Sequence, residues 1–233
     1  MMWTPSDAVR RWIVVIGLIA GPALLVLSVA INLSPGGGSM RNQFDAMSSR
    51  SGLIVAEALL ETLGFMIVLA SFAGATLALR VRGGALGTWG AVLAIIGIVG
   101  FSFSNANGFT LAELAQLPDR DAAFTTAAAI TSSDTASFVG TLGMAMEVLG
   151  QVGILLIIGG LVRARLVRFW LLLVVVIAMV GNIAIGTMLS TLVADLLLLG
   201  VGTWVAVRLA RASRSAWLGE EATQSVERAR ASV

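Results

Sequence analysis

Two acidic residues interrupt the stretch VAEALLETLG (Val55–Gly64), which lies in the otherwise apolar segment Gly52–Leu79. About 20 mostly apolar residues are enough for a helix to cross the hydrocarbon core of a membrane, and this segment is longer than that. A carboxylate at the centre of a bilayer costs about 2.5–3.5 kcal/mol. The stretch therefore predicts a membrane-spanning helix in which Glu57 and Glu61 need surroundings that offset their cost.

The composition of the whole chain also indicates a membrane protein. Of its 233 residues, 58% are hydrophobic and only 12% carry a charge, whereas an average soluble domain is about half apolar and about a quarter charged. The pI near 10.9 suggests nucleic-acid binding. However, the formal net charge is only +2, and the arginines cluster at the ends of apolar segments, which is typical of membrane orientation. We therefore expect a lipid bilayer around the protein and no nucleic-acid partner.

The residue types that the chain lacks exclude several kinds of chemistry. It has no cysteine and no histidine, which excludes thiolate and imidazole metal sites, histidine-ligated haem and the commonest general base. Every basic residue is arginine, and without lysine no Schiff base can form with retinal or pyridoxal phosphate. We expect no metal site, no cofactor and no catalytic residue.

Six apolar segments are long enough to span a membrane. They are Trp12–Leu33, Gly52–Leu79, Leu86–Asn107, Phe138–Val162, Phe169–Thr187 and Ser190–Ala210. They predict an all-α polytopic bundle of six transmembrane helices over residues 1–211, followed by a polar cytoplasmic tail over residues 212–233. The last two segments are predicted to meet in a turn at Gly186–Ser190. The alternative, a single helix over residues 169–210, would be about 60 Å long, twice the hydrocarbon thickness.

The placement of the arginines predicts the orientation of these spans. The arginines that flank one side of the bundle are Arg10, Arg11, Arg80, Arg82, Arg163, Arg165, Arg168, Arg208, Arg211 and Arg214. The opposite loops hold only Arg41, Arg50 and Arg120. Since cytoplasmic loops carry the arginine excess, we expect both termini in the cytoplasm, which agrees with an even number of spans. Alternatively, the first segment is a cleaved signal peptide, although its apolar run exceeds the usual length of about 7–15 residues.

The first predicted external loop, Ser34–Ser51, carries a helical pattern. A flexible SPGGGS break precedes Met40, Phe44 and Met47, which recur at helical spacing. This pattern predicts a short helix that lies in the membrane interface.

The second predicted external loop, Gly108–Ser137, contains an alanine-rich run after Asp119. Aspartate is a favourable residue at a helix N-cap. The loop therefore predicts a short surface helix that begins near this residue.

The chain has features of an internal repeat. Each odd-numbered span opens near a tryptophan, at Trp12, Trp89 and Trp170, and each even-numbered span carries an acid in its outer half. These acids are Glu61 in ETLG, Glu147 in EVLG, and Asp195. The pattern predicts three helical hairpins in the same orientation. The alternative is that interfacial tryptophans and cytoplasmic arginines simply recur in membrane helices generally.

Small residues at regular spacing favour close helix packing over nucleotide binding. These residues are Gly17 and Gly21, then Ala70, Gly74 and Ala78, and then Gly202, Ala206 and Ala210. Gly83, Gly84 and Gly87 follow no strand, so we expect a tight turn there and not a phosphate-binding loop.

The acids within the spans predict a polar pocket. Counted from the outer helix ends, Glu61 and Glu147 lie roughly 13 Å deep, and Glu57 and Asp195 lie roughly 8 Å deep. No arginine falls in the outer half of a span to neutralise them, so their partners must be hydrogen-bond donors, water, protons or an external cation. The residues predicted to form the pocket are Glu57, Glu61, Glu147, Gln151, Asn105, Asn182 and Asp195. The alternative for Glu57, Asp195 and Asn182 is a role in interhelical hydrogen bonding.

Two stretches, RRWIVVIGLIAGPALLVLS (residues 10–28) and EVLGQVGILLIIGGLVRARLVRFW (residues 147–170), together with the long external loop, resemble a group of small bacterial integral membrane proteins. That group forms a domain family of unknown function. The use of arginine without lysine, with abundant alanine, valine and glycine, resembles the composition of actinobacterial proteins. The resemblance implies a six-helix fold in a bacterial cytoplasmic membrane, and it implies no activity.

Three functions agree with these features. The first is a small transporter or binding protein whose outward-facing acidic pocket accepts a cation, a proton or a cationic or amphipathic molecule. The second is a structural or accessory subunit whose buried acids mediate helix packing or the docking of a membrane partner or a second copy. The third is a lipid-modifying enzyme that uses carboxyl groups alone. We expect the first.

Overall fold

The computed structural model describes residues 5–31, 39–76 and 83–213, with every side chain in these ranges except those of residues 5–7, 43, 104 and 107. The described chain is entirely helical apart from its turns, with no strand. The helices are α1 (Pro5–Ile31), α2 (Met40–Ala75), α3 (Gly84–Leu114), α4 (Arg120–Thr131), α5 (Asp134–Arg163), α6 (Trp170–Ile185) and α7 (Met188–Arg211). Arg80, Arg82, Arg214 and nearly all of the predicted tail lie outside the described residues.

Five of these helices are long and apolar enough to cross a membrane, namely α1, α2, α3, α5 and α7. They coincide with five of the six predicted spans. The remaining predicted span corresponds to α6, an apolar helix of only 16 residues. The prediction of an all-helical chain is confirmed for the described residues. Of the six predicted spans, five correspond to helices that are long and apolar enough to cross a membrane.

The break between α6 and α7 is set by local sequence. Gly186 ends α6 with a φ of 60°, a left-handed conformation in which a residue with a side chain is disfavoured. Thr187 and Ser190 then form a reciprocal capping box, in which each side chain accepts a hydrogen bond from the other residue's backbone N–H. The predicted turn is therefore present, and the single long helix is excluded.

The predicted loop Ser34–Ser51 is wrong in one respect. The helix that carries Phe44 is continuous with the second span and is marked off from it only by a kink at Arg50, whose φ is −127° and ψ is 17°. Phe44 is buried, and its ring packs edge-to-face against Phe124 of α4 at a centroid distance of 5.6 Å. Phe44 and Met47 of its apolar face pack against α3 and α4, which bury Phe44 and half-bury Met47, while Met40 stays exposed.

The second predicted loop is also shorter than expected. α3 continues past Gly108 to Leu114, and α5 already begins after Ser133, whose hydroxyl caps the N–H of Ala136 at 3.1 Å. One glycine costs a helix only about 1 kcal/mol, which the burial of Ala115 and neighbouring apolar residues offsets. The surface helix predicted near Asp119 is confirmed, because the Asp119 carboxylate caps the first turn of α4.

Six helices form a ring in the order α1, α2, α3, α5, α6 and α7, and α7 packs back against α1. The tightest pair in the ring is α3 with α5, and the lightest is α5 with α6. We call the end of the ring that carries Arg11, Arg163 and Arg208 the arginine end, and the opposite end the α4 end. The predicted hairpins α1–α2, α3–α5 and α6–α7 all pack internally, while a triplicated origin stays a prediction.

Glycines allow the closest approaches between helices. A Cβ atom built on Gly150 of α5 would lie 2.6 Å from the Cα of Gly97 on α3, and one on Gly153 would lie 2.6 Å from the carbonyl oxygen of Gly90. A Cβ atom built on Gly21 of α1 would lie 2.7 Å from the backbone nitrogen of Val68 in α2. Gly17, Gly74 and Gly202 also meet a neighbouring helix. The predicted packing role of these three glycines and Gly21 is confirmed, and the α3–α5 glycines extend it.

The hydrophobic core fills the arginine end of the ring. Leu18, Phe72, Ile157 and Val205 come from four different helices and are completely buried there. Arg11 closes the same end by donating a 2.6 Å hydrogen bond to the carbonyl oxygen of Ala210 at the end of α7. This end of the bundle is therefore sealed by packed apolar side chains.

At the α4 end, ion pairs join the first section of α2 to α4. The guanidinium of Arg41 lies 2.8 Å from the carboxylate of Asp121 and 3.2 Å from that of Asp45. Arg120 donates a hydrogen bond of 2.6 Å to Ser48. These contacts are exposed to solvent, so each is individually weak, but together they join α4 to the first section of α2.

Candidate functional site

A central cavity lies between the ring helices, beyond the sealed arginine end. Each of α1, α2, α3, α5, α6 and α7 contributes at least one lining side chain. The space open to water centres is about 120 Å³, whereas one water needs roughly 10–15 Å³ by this measure. Its polar lining consists of Glu61, Glu147, Gln151, Asn182, Thr191 and Asp195. The cavity can therefore hold several waters or a small ligand.

Three carboxyl groups reach the cavity from three helices. Glu61 lies on α2, Glu147 on α5 and Asp195 on α7, and all three residues are half-buried. Glu61 is near enough to the other two for the carboxyl groups to interact electrostatically. Among the described residues, no arginine lines the cavity and no hydrogen bond or salt bridge is formed by these three carboxylates. Their charge is therefore uncompensated by the described part of the protein.

Gln151 supplies a further polar group on α5. It follows Glu147 by four residues, which places both side chains on one face of the helix, and both line the cavity. The Oε1 atom of Gln151 is buried and has no hydrogen-bond partner within the described ranges. A buried carbonyl-type oxygen without a partner costs about 1–3 kcal/mol, which a bound water or ligand would recover.

Asn182 links the cavity to the α6–α7 turn. Its Oδ1 atom accepts hydrogen bonds from the hydroxyl groups of Thr191 at 3.0 Å and Ser190 at 3.3 Å. These bonds connect α6 and α7 beside the capping box. Both interpretations of Asn182 therefore agree with its position, since it lines the cavity and also joins two helices.

Two of the seven predicted pocket residues do not line the cavity. Glu57 lies one helical turn from Glu61 towards the α4 end and is absent from the cavity wall. Asn105 instead donates a 3.0 Å hydrogen bond from Nδ2 to the Oγ1 of Thr62, joining α3 to α2 beside Glu61. The side chains of Ser104 and Asn107, at a similar height on α3, are outside the described set.

Apolar residues that sequence reasoning did not single out form the rest of the wall. Phe65 and Phe101 stack with their ring centroids 4.6 Å apart and line the cavity together with Ile154 and Val175. Phe65 follows Glu61 by four residues and therefore lies on the same face of α2, and this spacing could have predicted that Phe65 lines the cavity. The cavity thus combines acidic groups with an aromatic and aliphatic surface.

The geometry does not resemble a metal centre. Across the described residues, no group of three or more histidine, cysteine, aspartate or glutamate side chains is placed to hold a metal ion. The carboxyl groups instead approach the cavity from separate helices. This arrangement provides negative charge for a cation without a preformed coordination shell.

Two surface grooves meet the cavity wall. The groove between α6 and α7 shares Ala178, Asn182 and Ala194 with the cavity. The groove between the α4-end halves of α3 and α5 shares only Glu147 with it. The cavity wall is therefore thin at these two places.

Comparison with known proteins adds no relationship: no protein-family model, no curated protein and no solved structure matches this chain.

Proposed function

We propose that this chain is a small integral membrane protein whose central cavity binds a cation, a proton or a cationic small molecule and serves its transport. Glu61, Glu147 and Asp195 supply the negative charge, and Gln151 and Asn182 supply polar contacts. The observation that carries the proposal is the approach of three carboxyl groups from three helices to one cavity that no described arginine lines.

The energetic argument concerns the cost of these acids. Isolated charges in an apolar bundle are expensive, and proteins offset the cost with a countercharge, a proton or hydration. Because the described residues provide no countercharge, an incoming cation stabilises the bundle by supplying one. The unpartnered Oε1 of Gln151 adds an acceptor beside Glu147 for a hydrated or hydrogen-bonding cation.

Glu57 and Asn105 are proposed to assist from outside the cavity wall. Glu57 shares a face of α2 with Glu61 and extends negative charge towards the α4 end. Asn105 holds Thr62, the neighbour of Glu61, and so positions this part of α2.

The proposed membrane arrangement has six spans, with α6 as the fifth in order, and both termini in the cytoplasm of a bacterium. The arginine end carries Trp12, Trp89 and Trp170, which are 50%, 66% and 43% exposed and suit an interfacial aromatic belt. At the α4 end, Arg41 and Arg120 are close to aspartates. The excess of arginine at the arginine end therefore favours its placement in the cytoplasm.

Cysteine labelling tests this arrangement, because the chain has no native cysteine. In intact cells, a membrane-impermeant maleimide is expected to label Ser132→Cys at the α4 end and to leave Ala164→Cys at the arginine end unlabelled. Labelling of only Ala164→Cys would reverse the proposed orientation, and equal labelling of both in sealed cells would contradict a spanning bundle.

Cation binding is tested with purified protein in lipid nanodiscs. The six tryptophans allow unfolding to be followed by intrinsic fluorescence. Sodium, potassium and tetramethylammonium are titrated at constant ionic strength. A cation present at 100 times its dissociation constant should stabilise the folded state by about 2.7 kcal/mol.

The stabilisation is expected to disappear in the double variant Glu61→Gln, Glu147→Gln and to weaken in Asp195→Asn. Glu113→Gln is the matched control, because Glu113 is exposed on α3 and does not line the cavity. If neither a cation nor a change of pH alters the stability of the wild-type protein, or if the double variant responds as Glu113→Gln does, the proposed binding function is wrong.

The alternative is an accessory subunit in which the acids bind a partner's helix. It requires the three carboxyl groups to be available to another chain, and a stoichiometric membrane partner should then be lost on Glu147→Ala. Their common position in a central cavity favours a small ligand instead, because a helix from outside the ring does not fit into about 120 Å³.

A further inference from the structure

The groove between α6 and α7 runs from the outer surface of the ring to the wall of the central cavity. Its rim consists of large apolar side chains that are well exposed, including Ile177, Ile185 and Leu189. Its volume by the measure used for the cavity is about 300 Å³. In a membrane, this rim would face the lipid chains.

Small residues separate the groove from the cavity. Ala178 and Asn182 on α6 and Ala194 on α7 each line both the groove and the cavity. Asp195 follows Ala194 directly and lies on the cavity side. A ligand that crosses the wall at Ala194 therefore leaves an apolar groove and meets the carboxyl group of the next residue, Asp195.

From this shared wall of small residues we infer that the ligand of the cavity is an amphipathic cation, which enters sideways between α6 and α7. Its cationic head lies among Glu61, Glu147 and Asp195, and its apolar chain lies in the α6–α7 groove. The inference rests on the proposed function, since it requires the cavity to bind a cation, and it adds the class of ligand and the route of entry.

Charge and packing favour this occupant. A hydrophilic cation gains nothing from the apolar groove, whereas a neutral lipid leaves the carboxyl groups without a countercharge. The groove between α3 and α5 is a poorer route, because it shares a single residue with the cavity and the helices below it are in glycine contact at Gly97 and Gly150.

The test compares tetramethylammonium with octyltrimethylammonium as probes, which carry the same head group and differ in chain length. Binding to the protein in nanodiscs is measured by tryptophan fluorescence. Burial of one methylene corresponds to about a fourfold gain in affinity. Even two buried methylenes would therefore make octyltrimethylammonium more than about tenfold tighter than tetramethylammonium.

Groove-filling variants separate binding in the groove from partition into lipid. Gly181 lines the groove, and a Cβ atom there meets nothing within 4 Å, so Gly181→Leu fills the groove without a clash at the Cβ. Gly200→Leu is the control on α7, because Gly200 also has open space and lines neither groove nor cavity. Gly140→Leu fills the α3–α5 groove in the same way.

We expect the affinity ratio of octyltrimethylammonium to tetramethylammonium to fall at least about fivefold in Gly181→Leu and to stay at the wild-type value in Gly200→Leu. An unchanged ratio in Gly181→Leu, or a ratio that falls only in Gly140→Leu, would overturn the inference. If tetramethylammonium still binds in that case, the cavity remains a cation site. Absence of binding by both probes, or binding that survives the Glu61→Gln, Glu147→Gln double variant, would overturn the proposed function and the inference with it.

Discussion

Substitution of Gly150 by alanine tests the packing on which the ring depends. The new Cβ would lie 2.6 Å from the Cα of Gly97, whereas carbon atoms in contact lie about 3.5–4.0 Å apart. α3 and α5 must then separate by about 1 Å, and such overpacking costs about 1–3 kcal/mol. Replacing a glycine in a helix by alanine otherwise gains about 0.5–1 kcal/mol. We therefore expect the free energy of unfolding to fall by about 0–2.5 kcal/mol.

The same helix offers a matched control. A Cβ atom on Gly159 meets nothing within 4 Å, so Gly159→Ala should keep the gain of about 0.5–1 kcal/mol without the clash. Thermal unfolding followed by tryptophan fluorescence in nanodiscs should then place the two midpoints about 2–12 °C apart, with Gly150→Ala lower. If Gly150→Ala unfolds at or above the temperature of Gly159→Ala, the close glycine contact between α3 and α5 is wrong.

Substitutions at three further helix ends, each paired with a control variant, are tested by thermal or denaturant unfolding. Arg165, just after the end of α5, has a φ of 60°. Arg165→Gly should therefore stabilise the protein by about 1 kcal/mol, whereas Arg163→Gly within α5 should destabilise it by about as much. If Arg163→Gly is the more stable of the two variants, the left-handed conformation at Arg165 is wrong. Gly186→Ala should cost about 1–2 kcal/mol and Gly186→Asn less, because asparagine tolerates the left-handed conformation, and equal costs would refute this reason. Arg11→Met should cost about 1–2 kcal/mol by removing the 2.6 Å hydrogen bond to the end of α7, and a loss no larger than that in exposed Arg10→Met would argue against this contact.

The apolar pattern predicted the helices well because each apolar segment is long, and a single glycine or polar residue within it does not break the pattern. It placed the break at Gly186 correctly, since glycine followed by Thr187 and Ser190 is a local signal for one helix ending and another beginning. It ended the third span too early, near Gly108, because the burial that carries α3 onward comes from Phe44, more than sixty residues away in the sequence. Long-range packing of this kind overrides a single unfavourable residue.

The cavity could be predicted in part for a similar reason. Depth along a helix follows from counting residues, and it placed Glu61 and Glu147 roughly 13 Å deep and Asp195 roughly 8 Å deep, all in the outer half of the bundle. Glu57 and Glu61 share a helix face, and which of them lines the cavity depends on how the neighbouring helices close around it, so the sequence alone did not separate the two. It also did not pair Phe65 with Phe101, because that contact exists only through the association of α2 with α3.

The shortness of α6 has a consequence for the lipid around it. Its 16 residues span about 24 Å, whereas the hydrocarbon core of a bilayer is about 30 Å thick. In the proposed six-span arrangement, a bilayer that accommodates this helix would thin locally by several ångströms or draw the Gly186–Thr187 turn below the headgroups. Either adjustment would bring headgroups and water nearer to Asn182, and so to the wall that the cavity and the α6–α7 groove share.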